Sequence, residues 1–334
     1  MAEPIGNRAA NQVTTVGYWV DAPCSGSLRD VTLPKISDHD VSLRALRSGV
    51  SVGTERLVGR GLVSVESAGS MACRGMQGSF ALPVLYGYSF VGVAVDGPDC
   101  GRRAFVMRPH QRQAIVALTE LHWLPDEVSS SRATLFPNVE TARNAVWDAE
   151  LGGEEAVAII GAGAIGLLVA FVLSKEHGRP VVMVECDPER RRMAQALPWI
   201  DLVLDPADLD AGSFAVAFHT SATSAGLQLS IDVVGFEGRV LDLSWYGDQS
   251  VTLQLGDSFH YQRKRLSASQ VSTVAGSHRA LGFSARSIAV MKLLEDPQLD
   301  ALLGSEIAFA DLPQAFAAIY AGQSSALCPV VNYE

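Results

Sequence analysis

Short apolar stretches separated by Gly, Pro and Asp fill the first 130 residues of the chain. They are Val13–Val20, Val41–Leu46, Phe90–Val95, Ala104–Met107 and Ala114–Leu118. Strands that recur at this spacing, without helical segments between them, are typical of a barrel or sandwich. The pattern therefore predicts a β-rich unit over about residues 1–130.

The hydrophobic period changes after this unit. Residues 131–150 favour a helix, and Ala156–Ile160 is a short, fully apolar run of the kind that a buried parallel strand requires. A helix that opens on glycines is predicted over Gly161–His177, and a second apolar strand over Val181–Glu185. Strand, helix and strand within about thirty residues form a βαβ unit.

Further elements continue this alternation to the end of the chain. More strands are predicted at Leu202–Leu204, Phe214–Phe218, Arg239–Leu243 and Leu266–Val271. After a helix at 283–295 come the strand Glu306–Phe309, the helix Pro313–Ala321 and the strand Cys328–Val331. We expect an α/β fold whose doubly wound parallel sheet fills residues 131–299. A second domain is predicted over 1–130 plus 300–334, because the last strand can return to the first unit.

Composition narrows the class of protein. The chain has 334 residues, 48% of them hydrophobic, and a formal net charge of -10. Such a balance argues against nucleic acid as a partner, since phosphate binding needs clustered basic residues. There is no 18-residue apolar run, and residues 1–12 are polar, so we expect neither a membrane span nor a signal peptide.

Cysteine and histidine spacing bears on metals and on the redox compartment. The five cysteines form no C-x-x-C pair, and the seven histidines form no H-x-x-x-H pair. A structural zinc site usually needs four such ligands at short spacings, so we expect none. An odd, scattered set of cysteines also fits a reducing cytoplasm better than a disulfide framework.

The strongest chemical signal is the sequence GAGAIG at residues 161–166, between a buried strand and a helix. Gly161 permits a tight turn, Gly163 lets the backbone approach a pyrophosphate, and Gly166 allows close packing of helix and strand. The backbone N–H groups at the helix start, including those of Ala164 and Ile165, would face the phosphates. The alternative is a packed βαβ turn with no ligand.

Glu185 closes the second strand of this unit, 19 residues after Gly166. A carboxylate there can accept hydrogen bonds from the adenosine ribose and would repel a 2′-phosphate, which favours NAD(H) over NADP(H). Arg190 and the two arginines that follow it weaken this preference, since one of them can accommodate a phosphate. NADP(H) therefore stays possible.

With these motifs, the chain resembles the medium-chain dehydrogenase/reductase superfamily. The resemblance rests on GAGAIGLL at 161–168 and VVMVECDPERRRMA at 181–194, and covers nearly the whole chain. The segment SGVSVGTERL at 48–57 is similar to that of the bacteriochlorophyllide 3-hydroxyethyl dehydrogenase branch and related zinc-lacking bacterial dehydrogenases. The resemblance implies a GroES-like β-barrel domain, a Rossmann domain, a cleft between them, and hydride transfer to or from nicotinamide.

The departures from the zinc-dependent pattern concern its metal ligands. Val52 or Ser51, depending on the alignment, stands where these relatives carry a cysteine ligand. In the segment GYSFVG at 87–92, Tyr88 replaces the histidine ligand and Ser89 the following glutamate. The resemblance therefore implies catalysis without zinc, and Ser89 puts a tetrapyrrole substrate in doubt.

Four side chains of the first domain are candidates to polarise the substrate oxygen and exchange its proton. Tyr88 can donate its phenol proton, or merely fill the vacated metal cavity. Thr54 matches a relay hydroxyl, or makes only a turn hydrogen bond. Glu55 can orient Tyr88, although we favour an ion pair with Arg56 or another arginine. His110 can act as a general acid or base, unless it is an ordinary hydrogen-bonded histidine.

Polar residues also follow two strands of the second domain. His219, Thr220 and Ser221 follow one strand, and a segment that begins with Ser244 and Trp245 follows the next. Ligands bind outside the carboxyl ends of parallel strands, so we expect Thr220, Ser221 and Ser244 to border the cofactor. Thr141 matches a position near the nicotinamide in the resembling family.

These observations leave three functions open. The first is a zinc-independent, NAD(H)-dependent oxidoreductase of an alcohol or ketone in a biosynthetic pathway, acting on a small molecule as a cytoplasmic homodimer. The second is a zinc-free reductase of activated C=C bonds or quinones, which would favour NADPH. The third is a non-catalytic nucleotide-binding subunit or redox sensor. A fold alone cannot choose among them.

Overall fold

The computed structural model describes residues 13–324 and 326–334. The expectation that residues 1–12 are no signal peptide lies outside the described residues. In the described part of the chain, no helix is long and apolar enough to cross a membrane.

The first part of the described chain is rich in strands. Its strands are β1 (Thr14–Ala22), β2 (Ser25–Thr32), β3 (Asp40–Gly49), β4 (Gln77–Gly78), β5 (Val84–Leu85), β6 (Phe90–Ala94), β7 (Arg103–Val106), β8 (Gln113–Ala117) and β9 (His122–Trp123). Its helices are α1 (Val52–Gly59), α2 (Val65–Ala68) and α3 (Ser130–Ala133).

Strands and helices alternate over the next part of the chain. The elements are α4 (Phe136–Asp148), β10 (Val157–Ile160), α5 (Ala164–His177), β11 (Val182–Val184), α6 (Pro188–Gln195), β12 (Leu202–Leu204), β13 (Phe214–His219), α7 (Ser224–Val233), β14 (Val234–Asp242), α8 (Ser258–Tyr261) and β15 (Arg265–Ala268). The last elements are α9 (Gly282–Leu294), β16 (Leu303–Ala308), α10 (Leu312–Tyr320) and β17 (Cys328–Asn332).

Strand β3 is the centre of the barrel sheet. It pairs antiparallel with β6 and β8, and its buried residues Val41, Leu43 and Ala45 alternate along it as a half-buried strand requires. The late strand β17 also pairs with β3, with Val330 opposite Gly49, and β16 lies beyond it. Residues from the far end of the chain thus complete this sheet, while the domain limits at 130 and 300 stay a prediction.

Strands β2, β1, β5 and β4 form a separate four-stranded sheet in the first part of the chain. The six-stranded sheet is parallel throughout, in the order β12-β11-β10-β13-β14-β15. This is the order of a dinucleotide-binding Rossmann sheet, with the topological switch between β10 and β13. Every residue of β10 is buried, and α5 buries an unbroken run from Gly166 to Leu173 because it is covered on several sides. The predicted α/β class, with a barrel and a doubly wound sheet, is confirmed.

Some elements differ from the prediction for identifiable reasons. The strand predicted from Arg239 starts five residues earlier, at Val234, because α7 runs directly into it. The strand predicted to reach Val271 ends at Ala268, and the Val271 carbonyl instead accepts a hydrogen bond from Arg286 at 2.8 Å. Strand β2 has no apolar run to predict it, since it is a largely solvent-facing edge strand.

Candidate active site

The three glycines of the loop between β10 and α5 meet different surroundings. Gly161 has φ +110°, a backbone conformation that favours glycine. A Cβ on Gly166 would lie 2.1 Å from the carbonyl oxygen of Gly161, so the helix packs too closely there for any side chain. A Cβ on Gly163 would meet nothing within 4 Å. Neighbouring atoms therefore pack closely against Gly161 and Gly166, whereas Gly163 faces open space. This arrangement fits the approach of a pyrophosphate to Gly163.

The start of α5 completes this loop as an anion site. Gly163 is the N-cap and supplies no side chain, so the first turn, with Ala164 and Ile165, is not capped by its N-cap residue. Thr220 fixes the loop from the neighbouring strand end. Its hydroxyl lies 3.1 Å from the carbonyl oxygen of Ile160 and 3.0 Å from that of Gly161.

Glu185 lies at the end of β11 and is only 7% exposed. One carboxylate oxygen accepts the backbone N–H of Ala162 at 2.8 Å, and the other accepts that of Asp187 at 2.9 Å. Oε2 keeps a second lone pair that a ribose hydroxyl can use, whereas Oε1 also accepts the thiol of Cys186 at 3.4 Å. The carboxylate is therefore held against the glycine loop, where it can bind a ribose.

The arginines after Glu185 differ in how firmly their guanidinium groups are held by neighbouring residues. Arg191 donates to the carbonyl oxygens of Glu185 and Cys186, at 2.6 and 2.8 Å, and pairs with Asp205 at 2.8 Å. These contacts keep its guanidinium on the backbone. Arg190 is exposed at the start of α6, so it is better placed than Arg191 to meet a 2′-phosphate.

On the barrel side, Glu55 and His110 form a buried pair. Glu55 on α1 is 3% exposed and His110 is 1% exposed, and Oε2 of Glu55 lies 3.0 Å from Nε2 of His110. The other ring nitrogen, Nδ1, lies 2.7 Å from the hydroxyl of Ser48, which in turn lies 2.9 Å from that of Tyr333. This arrangement is a hydrogen-bonded chain inside the barrel core.

This pairing corrects one expectation and bears on a second. The favoured partner of Glu55 was an arginine, but Arg56 is exposed, because consecutive helix residues point about 100° apart. His110 was expected to approach the cleft as a general acid or base. It lies instead in the barrel interior, where both of its ring nitrogens already have partners, which argues against direct contact with a substrate.

Two of the candidate side chains, Tyr88 and Thr54, are in contact with each other. The phenol of Tyr88 donates to Oγ1 of Thr54 at 3.4 Å, and both residues are half-buried. Burial raises the pKa of Tyr88 well above its usual value, so the phenol stays protonated at neutral pH. A cavity of about 10 Å³ beside it, also lined by Ser51, Ser89 and Asn138, has room for about one water.

The positions of the two family zinc ligands offer no zinc donors. Ser89 donates its hydroxyl to the carbonyl oxygen of Thr134 at 2.7 Å, and Tyr88 and Ser51 supply only hydroxyls. Within residues 13–324 and 326–334, no three His, Cys, Asp or Glu side chains are grouped so that they could hold a metal ion. Zinc prefers thiolate, imidazole and carboxylate ligands, so this donor set does not fit it.

A second buried histidine lies at the carboxyl ends of the parallel strands. His219 at the end of β13 is 0% exposed, and its Nδ1 lies 2.9 Å from Oδ1 of Asp242 at the end of β14. Its Nε2 lies 2.9 Å from the hydroxyl of Ser221. Burial acts to raise the pKa of Asp242, but the hydrogen bonds from His219 and from the backbone of Ser244 outweigh it, and the pKa is lowered.

Asp242 was not among the predicted site residues. Its signal in the sequence was its position, since it ends an apolar strand just as Glu185 does. The hydroxyl of Ser244 accepts the backbone N–H of Ala222 at 3.1 Å and lies 3.2 Å from Nδ1 of His219. Thr141 donates its hydroxyl to the carbonyl oxygen of Pro137, within α4.

The loop that follows Asp242 also contacts the barrel. Trp245 packs against the barrel core, and the backbone N–H of Asp248 donates to the carbonyl oxygen of Leu62 at 3.0 Å. A Cβ on Gly247 would lie 2.2 Å from that same oxygen. The loops at the carboxyl ends of the parallel strands, where we expect the cofactor, are therefore in direct contact with the segment that follows α1.

Comparison with known proteins gives partial sequence matches. No protein-family profile matches the chain. It is 29% identical to the (R,R)-butanediol dehydrogenase of Bacillus subtilis over 208 residues, 62% of this chain and 54% of that protein. It is 25% identical to the L-threonine 3-dehydrogenase of Rhizobium etli over 252 residues, 64% of this chain and 67% of that protein. The chain thus matches about half to two thirds of the length of these relatives.

Solved structures match over nearly the whole chain. The 2R,3R-butanediol dehydrogenase of Bacillus subtilis has a TM-score of 0.75 at 19% identity and covers 96% of this chain and 100% of its own. An Escherichia coli alcohol dehydrogenase complexed with NADH has a TM-score of 0.75 at 14% identity, covering 96% and 99%. S. aureus TarJ in complex with NADPH has a TM-score of 0.73 at 16% identity, covering 96% and 100%.

These neighbours hold different nicotinamide cofactors, so they do not decide between NAD(H) and NADP(H) for this chain. Their low identities show the fold alone. The chain has the GroES-like plus Rossmann fold of these solved dehydrogenase structures, and its partial sequence matches are also to proteins named as dehydrogenases.

Proposed function

We propose that this protein is an NAD(P)-dependent oxidoreductase that transfers a hydride between a nicotinamide cofactor and a small alcohol or ketone. The observation that carries the proposal is the glycine loop, in which Gly161 and Gly166 are closely packed and Gly163 faces open space. The dehydrogenase names of the relatives support it, and so does the hydroxyl pair of Tyr88 and Thr54 near the cleft.

The nicotinamide supplies or accepts the hydride when it is bound. The chain's own task is to stabilise the charge that develops on the substrate oxygen and to exchange its proton. Tyr88 has a protonated phenol and is the proposed donor to that oxygen. The phenol carries one proton, so when it turns from Thr54 to the substrate oxygen, the Thr54 hydroxyl can donate to the phenol oxygen and relay a proton to it. Glu55 holds α1 in place by accepting the backbone N–H of Ser51 at 3.0 Å while it pairs with His110.

We further propose that the enzyme works without zinc and prefers NAD(H). The serine and tyrosine donors at residues 51, 88 and 89 support the first part, as does the resemblance of residues 48–57 to the bacteriochlorophyllide 3-hydroxyethyl dehydrogenase branch. The second part is supported by the buried carboxylate of Glu185 and by the contacts that keep Arg191 on the backbone. Metal analysis of the purified protein tests zinc independence, and stoichiometric zinc would overturn it.

Titration with NADH and with NADPH, followed by nicotinamide fluorescence, tests the cofactor proposal. We expect tighter binding of NADH. Tighter binding of NADPH would favour a reductase of activated C=C bonds, whereas binding without turnover on any alcohol, ketone or enone would favour a nucleotide-binding subunit. A panel of small secondary alcohols and ketones, assayed with the bound cofactor, then tests the reaction itself.

The oligomeric state, location and pathway are also proposals. A homodimer is supported by the outer strand β15, whose four residues are all exposed at the edge of the parallel sheet. The five free cysteines support a reducing cytoplasm. A biosynthetic role is proposed from the resemblance alone, and size-exclusion chromatography with light scattering tests the dimer.

A further inference from the structure

The buried ring of His219 lies among three loops at the carboxyl ends of the parallel strands: the glycine loop after β10 and the loops after β13 and β14. Its own strand continues into Thr220, whose hydroxyl is bonded to the glycine loop, and into Ser221, whose hydroxyl is bonded to Nε2. On its other side, Nδ1 lies near Asp242, and also near Ser244 and the phenol of Tyr246 in the loop that contacts the barrel. One side chain therefore links the glycine loop to the contact between the domains.

The segment that follows His219 packs closely against the glycine loop. A Cβ on Gly161 would lie 3.1 Å from the backbone nitrogen of Ser221, so the two segments are already in contact. A Cβ on Gly226 would lie 2.0 Å from the hydroxyl oxygen of Ser221, which therefore occupies the space above the first turn of α7. The Ser221 hydroxyl also lies 3.0 Å from that of Thr223, the N-cap of α7, so it is held between the ring and the start of that helix.

The charged groups around the ring are few. Strand β10 presents only the apolar residues Val157–Ile160 to this edge, and on α7 the carboxylate of Asp232 is bonded to Gln228 at 2.9 Å. Burial, with the nearby Asp242 carboxylate, raises the pKa of Tyr246, so this phenol stays neutral. The charge that faces His219 is thus the carboxylate of Asp242, 2.9 Å from Nδ1.

The two protonation states of the ring differ in what they offer to Ser221. A neutral ring that donates from Nδ1 to Asp242 must accept at Nε2, so the Ser221 hydroxyl donates to it. A charged ring donates from both nitrogens, and the Ser221 hydroxyl is then free to donate elsewhere. The charged ring also adds a positive charge one residue before Thr220, whose hydroxyl is bonded to the glycine loop. Both changes favour an anion at the glycine loop.

We propose that His219, held by Asp242, is a positioning residue that takes up a proton when a dinucleotide binds at the glycine loop. The inference rests on the proposed function, since it requires that the loop bind a dinucleotide pyrophosphate. Binding and protonation are then thermodynamically linked, so each favours the other. The affinity for the dinucleotide is highest at low pH and weakens as the pH rises, by up to about tenfold per pH unit for one proton.

Isothermal titration calorimetry with NAD⁺ between about pH 6 and 8, where histidine ordinarily changes charge, tests this coupling. Measurements in two buffers of different ionisation enthalpy give the number of protons taken up. We expect uptake of up to one proton by the wild-type protein and none by His219→Gln, whose amide keeps hydrogen-bonding capacity without the charge. His177→Gln is the matched control, because His177 is exposed at the opposite end of α5.

The outcomes separate the two levels of the proposal. Proton uptake that is lost in His219→Gln and kept in His177→Gln supports the inference. Binding of NAD⁺ by the wild-type protein without proton uptake overturns it and leaves the proposed function standing, and so does uptake that persists in His219→Gln. Should the wild-type protein bind no dinucleotide at any pH, both the inference and the proposed function fail. If His219→Gln does not fold, Asp242→Asn replaces it, because that variant removes the carboxylate that stabilises the charged ring. Reduced proton uptake then supports the inference, and unchanged uptake overturns it.

Discussion

The carboxylate of Glu185 accepts a hydrogen bond from the backbone nitrogen of Ala162, 23 residues earlier in the chain. The residue that should recognise the adenosine ribose is thus also a structural part of the glycine loop. Removing its charge must therefore affect both the ribose contact and the shape of the loop that receives the pyrophosphate.

We expect Glu185→Gln to weaken NADH binding by about tenfold, or about 1.4 kcal/mol, the value of one charge-assisted hydrogen bond. NADPH binding should weaken less, because the repulsion of its 2′-phosphate is relieved at the same time. Fluorescence titration with both cofactors measures the ratio. An unchanged ratio would mean that Glu185 does not set the cofactor preference.

Substitution of two glycines should separate binding from stability. Gly163→Ala adds a methyl group to open space, so the free energy of unfolding should change by less than about 0.5 kcal/mol while dinucleotide binding is lost. Gly166→Ala forces its methyl group against the Gly161 carbonyl and should cost about 1–3 kcal/mol of stability as well. Urea denaturation and NADH titration of both variants measure the two effects, and equal stability losses would contradict the packing described here.

The Tyr88→Phe variant tests the proposed donor. It keeps the ring and removes the hydroxyl, so cofactor binding should be unchanged while kcat falls by about a hundredfold or more. The control is Tyr261→Phe, at a ring that is 64% exposed in α8. Full activity of Tyr88→Phe on an identified substrate would show that this residue only fills space.

The buried pair in the barrel should matter mainly for stability. Glu55→Ala leaves the 1% exposed His110 without its partner and should lower the free energy of unfolding by about 3 kcal/mol. Glu237→Ala removes a carboxylate from an exposed pair with Arg263 and should cost less than about 1 kcal/mol. Chemical denaturation of the two variants gives the comparison, and a similar loss in both would be inconsistent with the burial of the pair.

Most of the fold follows from local pattern, whereas the site follows only in part. The apolar run at 156–160 and the glycines after it predict β10, the loop and α5, because hydrophobic period and backbone conformation are local properties. Helix α1 is less visible, since its buried face consists of only Glu55, Val58 and Gly59. Its most buried polar residue is also the one that sequence alone assigned to the wrong partner.

That wrong partner has a general cause. Glu55 and His110 are 55 positions apart, and His219 and Asp242 are 23 apart, so no spacing rule connects either pair. Arg56 was close in sequence and chemically suitable, but the helix turns it to solvent. The register of β13 and β14 places His219 beside Asp242, whereas the packing of α1 on the barrel places Glu55 beside His110. Both arrangements depend on contacts between segments that are distant in sequence.

The hydrogen bond between Ser48 and Tyr333 spans 285 residues, and β17 pairs with β3 across a similar separation. On a ribosome, the parallel sheet from β10 to β15 emerges as one continuous segment and can form while synthesis continues. The barrel sheet must instead wait, with Arg47–Gly49 at the end of β3 unpaired on one side, until the last strand has been made. Nascent chains of this protein therefore expose an unfinished sheet for most of their synthesis, and this is the stage at which we expect them to depend most on chaperones.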